Sequence, residues 1–180
     1  MAKEYIIRDY LTGRDVKEIR ELLSMTQKEF ANFANCSVRT VENWESKSEK
    51  IKGPIVTLIE ILLRKPEYVK KLALPKDRLK VRLYYMFRDM VCTIIDVDEL
   101  SQEVIIHNYI DDPIYRAFGV NTEPDFEDYR EFLESRCFPR TRDKIEFELK
   151  RLDIPFYEPM MIIRKTQGRM AGDDFWIRIE

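Results

Sequence analysis

His107 is the single histidine of the 180-residue chain, and it sits in a run of strand-forming residues from Glu103 to Tyr109. A histidine does acid–base or nucleophile-activating work only beside a suitable partner, such as a thiol, a hydroxyl or a metal. Cys36, Cys92 and Cys137 are odd in number and far apart, which argues against both a disulfide framework and a zinc site. A Cys137–His107 nucleophilic pair is conceivable, but both residues are read as structural. The chain has no phosphate loop, no G-x-S-x-G and no H-E-x-x-H. The expectation is a protein that is not an enzyme and that needs neither metal nor cofactor.

Two charged groupings suit binding better than catalysis. Arg136, Arg140 and Arg142 surround Pro139 and can grip phosphate or an acidic partner. Pairing with nearby acids inside the chain is the favoured alternative. Glu123, Glu127, Glu131 and Glu134 fall within about 80° of one another at 100° per residue, forming one acidic helix face. Their steps of ~6 Å are comparable to phosphate spacing along a strand, so such a face can mimic nucleic acid in a partner's basic channel. A plain solvated face is the simpler assignment. These seven residues are the candidate partner-binding set.

The elements that must position such residues divide into two modules. The chain carries 31 basic and 33 acidic side chains, a net charge of −2, but the balance is uneven. Residues 1–79 hold 16 basic and 12 acidic side chains, residues 80–180 hold 15 and 21, and aromatics divide 6 to 15. A sign change of this kind suggests modules with different partners, with a boundary near Leu74-Pro75-Lys76-Asp77. The domains are taken as 1–76 and 77–180.

In the first domain, Val16, Ile19, Leu22 and Leu23 recur at helical spacing behind Asp15, and Thr26 with Glu29 forms a capping box. Ser37 caps a third helix on which Val41 and Trp44 face inward, Asn35 occupies the preceding turn, and Pro54 and Pro66 open two more helices. In the second domain, Val81–Met86, Met90–Asp96, Glu103–Tyr109 and Phe175–Ile179 have strand composition, and Asp96–Ser101 offers turn chemistry. Apolar periodicity marks helices around Phe126–Leu133 and Ile145–Leu152, with a third candidate over Tyr157–Lys165. The predicted class is α+β: an all-α, five-helix domain followed by a small α+β domain with an antiparallel sheet. No apolar run approaches a membrane span and no secretory signal is visible, so a cytoplasmic protein is expected.

The stretch DVKEIRELLSMTQKEFANFANCSVRTVENWES resembles the Xre/Cro-type, lambda-repressor-like helix-turn-helix family. The likeness runs through Thr26, Gln27, Glu29, Phe30, Ala31, Ser37, Thr40, Val41, Trp44 and Glu45, and covers about residues 13–73. It implies double-stranded DNA binding by a homodimer, with the second helix of the motif in the major groove. Carried over by position, Val38, Arg39 and Asn43 become base readers, with Ser37 and Thr40 at the edge. Gln27, Lys28 and Lys47 become backbone contacts, with Lys50 and Lys52 beside them. Arg39 suits guanine, Asn43 adenine and Val38 a thymine methyl. Asn35 and Lys47 stand where the family commonly has glycine, which predicts a different shape for the loop Ser46 to Lys52.

Phe132 to Ile179 is similar to a segment of small bacterial and mobile-element proteins and to one in relatives of HipA-type toxins, and neither implies an activity. The leading expectation is a sequence-specific transcriptional regulator, an autorepressor, whose second domain binds a protein. The layout is also similar to anti-CRISPR proteins that block a type II RNA-guided nuclease, and to antitoxins that sequester a toxin.

Overall fold

A computed structural model describes residues 5–180, in which eight α-helices and a four-stranded antiparallel sheet form an α+β protein. The chain divides into two compact units, Met1–Ala73 and Leu74–Glu180.

The N-terminal unit is all helical: α1 (Gly13–Leu22), α2 (Gln27–Phe33), α3 (Val38–Ser46), α4 (Pro54–Arg64) and α5 (Glu67–Leu72). Side-chain caps set the first three starts. Thr12 caps α1 with Asp15 reciprocating from the third helical position, so Asp15 lies inside the helix rather than at its start. Thr26 and Glu29 form the same box on α2, and the Ser37 hydroxyl accepts from the Thr40 N–H on α3. Each such cap is worth about 1 kcal/mol. Pro54 opens α4, where its missing N–H costs nothing. Val16, Ile19, Phe30, Ala31, Val41, Ile55, Ile59 and Leu62 make the core, while Leu22 points to solvent.

Gly13 lets α1 meet the end of α3. A Cβ there would lie 2.5 Å from the Trp44 carbonyl oxygen and 2.9 Å from that of Glu45. Beyond α3, Lys47 is extended (φ −81°, ψ 136°), so the helix ends without the left-handed residue that a glycine would supply. Asn35 takes the left-handed turn before α3, at φ 51°.

In the C-terminal unit, β1 (Val81–Phe87), β2 (Met90–Asp98), β3 (Glu103–Asn108) and β4 (Phe175–Ile179) form an antiparallel sheet in the order β3-β2-β1-β4. Strand β2 runs two residues beyond the expected end, which places Asp96 inside the sheet. Alternation sends Leu83, Tyr85, Ile95, Val97 and Ile177 to the face covered by α6 (Phe126–Ser135) and α8 (Pro159–Thr166). Helix α7 (Ile145–Leu152) lies between those two in sequence. On the opposite face Arg82 and Asp96 sit directly across from each other and are bonded at 2.7 and 2.8 Å. Arg82 also donates to the carbonyls of Pro75 and Asp77, which ties the entry segment to the sheet.

Candidate nucleic-acid interface

The short link Ala34–Ser37 joins α2 to α3, and one charged network fixes the orientation of the two helices. Arg20 on α1 donates to both carboxylate oxygens of Glu45 on α3, at 2.6 and 3.1 Å, and to the Met25 carbonyl at 2.9 Å. Gln27, the first residue of α2, donates its amide to the same carboxylate at 3.0 Å. Glu45 and Arg20 are 9% and 13% exposed, so the pair is largely shielded from water. The hydrogen bonds from Arg20, helped by Gln27, hold the Glu45 carboxyl below the usual carboxylate range. Three helices are therefore pinned at one ionised group.

That arrangement leaves the N-terminal half of α3 facing solvent. Val38, Arg39 and Asn43 are exposed, and Thr40 is half-buried. At 100° per residue Val38, Arg39 and Asn43 share one side of the helix with Glu42, within about 140°. The Ser37 and Thr40 hydroxyls lie 2.8 Å apart and both serve the cap, which limits them to the edge of the face. Lys28 and Lys52 are exposed, Lys47 lies a loose 4.0 Å from Glu49, and Lys50 packs over the Tyr10 ring at 4.2 Å. Gln27 is half-buried, with its amide directed toward Glu45 as well as lying at the start of α2.

Glu42 is the member of this face that sequence reasoning missed. Asp15, Glu18, Glu21, Glu29 and Glu45, the other carboxylates of α1–α3, each have a hydrogen-bonding or ionic partner. The Glu42 side chain has none among the described residues. Its spacing from Val38 and Arg39 was the available signal.

The C-terminal candidates are less unified. Glu123 does not belong to the acidic helix face: it lies in the loop before α6, because Pro124 intervenes and Asp125 caps the helix with Asp128 reciprocating. Of the remaining three, Glu127 pairs with Arg130 at 3.1 Å and Glu134 with Arg140 at 2.7 Å, while Glu131 is exposed. Arg136 is not a surface contact either. It is buried, donates to Asp173 at 2.8 and 3.1 Å, and reaches the carbonyls of Gly168 and Phe175. Arg140 and Arg142 are exposed, stacked over Tyr157 and Phe138 respectively, and Arg142 pairs with Glu148 at 3.2 Å. The favoured alternative, pairing within the chain, describes all three arginines.

Burial pushes the Cys137 thiol up to about 12, and burial also raises Cys36 and Cys92, so these sulfurs are held protonated. His107 lies on β3 opposite Ile94, half-buried. Among the described residues no helix is long and apolar enough to cross a membrane.

No family model matches the chain. It is similar to the antitoxin HigA-2 of Vibrio cholerae serotype O1, with 36% identity over 59 residues. That match takes in 33% of this chain and 57% of the relative, so the chain spans little more than half the relative's length.

Proposed function

We propose that the chain is a sequence-specific, duplex-DNA-binding regulator of the antitoxin type. Its N-terminal unit reads the major groove with α3, and its C-terminal unit is a protein-binding module rather than an enzyme. The observation that carries this reading is the presentation of Val38, Arg39 and Asn43 on one exposed face, backed by the Arg20–Glu45–Gln27 network. The likeness to HigA-2 supports it and favours a toxin over other protein partners. A single face of this size reads only a few base pairs, so the reading includes a homodimer on two half-sites about 10 base pairs apart or a multiple of that.

The test is fluorescence anisotropy of the full chain on a selected duplex and on random duplex, over a range of salt. Neutralising a phosphate with each of Lys28, Lys47 and Lys52 gives a log–log salt slope of about −3 per protomer. Binding that ignores salt, or no preference for any duplex, refutes the reading. Sedimentation of the complex decides between one and two protomers per site. Rescue of growth on co-expression with the protein encoded beside the chain tests the toxin partner.

A further inference from the structure

A cavity of about 280 Å³ opens on the C-terminal unit, between α6, the turn that joins β2 to β3 and the segment leading into α8. It is bordered by Phe126, Tyr129, Tyr157 and Pro159, with Glu99, Glu134, Glu158, Arg130 and Arg140 among its charged groups. Its size matches one long side chain rather than a cofactor.

Tyr129 is the anomaly in its wall. The residue is 1% exposed, and its hydroxyl is buried without a hydrogen-bond partner among the described residues. Burial, with the charges of Glu99 and Glu158 adding to it, pushes the hydroxyl's pKa up. The two carboxylates that act on it border the same cavity. Tyr84 and Tyr157, by contrast, donate to Glu180 and to the Phe138 carbonyl. Phenylalanine would fill the Tyr129 position without burying a polar atom, so the hydroxyl calls for a partner from outside the chain.

The charged groups of the wall define that partner. Arg140 is committed to Glu134 at 2.7 Å, and Arg130 to Glu127 at 3.1 Å. Glu158 accepts from the Met160 and Met161 N–H groups, which uses part of its capacity. The Glu99 side chain has no partner among the described residues. The acceptors that remain are Glu99, spare lone pairs of Glu158 and the Tyr129 oxygen, and the three carboxylates of the wall outnumber its two guanidiniums. That excess of negative charge favours an entering group that brings hydrogen-bond donors and positive charge. Arg140 shows how the site treats such a group, with its guanidinium 4.7 Å from the Tyr157 ring centre. A planar guanidinium is less strongly hydrated than an ammonium and can serve two carboxylates at once. The unit as a whole, residues 74–180, has 17 basic and 22 acidic side chains, which attracts a cationic protein.

We propose that this cavity is a socket for an arginine side chain of a basic protein partner. The inference does not depend on DNA binding by the N-terminal unit. The test is two-dimensional NMR of the full ¹⁵N-labelled chain, titrated at constant ionic strength with acetyl-arginine amide, acetyl-lysine amide and the neutral acetyl-citrulline amide. Saturable shifts at residues 98–100, 126–134 and 157–159 with arginine, and none with citrulline, are expected. Glu99→Gln and Tyr129→Phe should each weaken arginine binding about tenfold, the worth of one hydrogen bond to a charged group. Equal shifts with citrulline, no saturable shift, or arginine binding unchanged in both variants overturns the proposal. Lysine binding as tightly as arginine overturns the choice of guanidinium.

Discussion

Glu45→Ala is the sharpest test of how the exposed face of α3 is held, because it removes the acceptor shared by Arg20 and Gln27. An exposed ion pair is worth about 0–1 kcal/mol, and removing one member of a fully buried pair costs about 3–5 kcal/mol. Side-chain exposures of 13% and 9% place this pair near the buried limit, but Arg20 keeps the Met25 carbonyl as an acceptor. The expected cost is therefore about 2–3 kcal/mol. In a unit of this size that lowers the melting temperature by roughly 10–20 °C.

The effect has a pH signature. The folded-state pKa of Glu45 is depressed, so its stabilisation is complete above the unfolded carboxyl value of about 4.3 and fades as pH falls through the folded value. The gap between wild type and variant should be widest at pH 7 and shrink as pH drops below about 4. Thermal unfolding of the full chain, followed by NMR at the Val16, Ile19 and Val41 methyls, isolates the N-terminal unit. A gap under about 0.5 kcal/mol at pH 7, the size of an ordinary surface substitution, refutes the reasoning, as does a gap unchanged down to pH 3.

The remaining predictions concern the two faces separately. Arg39→Ala should cost about 1–3 kcal/mol at a selected duplex and much less on random duplex, while Glu42→Gln should strengthen binding to random duplex and relax preference at one base pair. Both are read by selection and sequencing, since a carboxylate can accept from the cytosine amino group but repels phosphate. Asp173→Asn should destabilise the C-terminal unit by about 1–3 kcal/mol, because it leaves the buried Arg136 guanidinium beside a neutral group with the Gly168 and Phe175 carbonyls still accepting from it. The Asp173 carboxyl is held low chiefly by its hydrogen bonds from Arg136, so this loss too should fade as pH falls below the carboxylate range, as chemical denaturation at pH 7 and pH 3 would show.

What the sequence made legible follows the range of the interaction responsible. The Thr26–Glu29 box, the Ser37 cap, Pro54 and the aromatic and β-branched composition of β4 act within a few residues, and the elements they define are the elements observed. Asp15 was misplaced as an opening residue because a capping box uses a side chain at each end, and either fits the start of a helix. Angular periodicity failed at Glu123 for a related reason: counting 100° steps assumes a helix already under way, whereas Pro124 and Asp125 begin it.

The side chains whose surroundings the sequence did not show are those whose deciding partner is distant. Arg136 reads as a surface residue until Asp173, 37 positions away, and the Gly168 carbonyl claim it. Gln27 reads as a phosphate ligand, yet its amide also meets Glu45, 18 positions on. Glu42 and Tyr129 are the converse, since their importance lies in what they do not contact, and no spacing rule reports a missing partner. Charged residues with internal partners act as structural members, and those left without one are where a ligand gains most by supplying it. In the N-terminal unit Glu42, on the face of Arg39 and Asn43, is one such residue, and in the C-terminal unit Glu99, on the cavity that Tyr129 also borders, is another. The two sites ask for opposite partners. On the proposed reading the first is a lone carboxylate among groups suited to DNA, and its part is discrimination. The second is a wall with three carboxylates against two guanidiniums, and its proposed part is attraction.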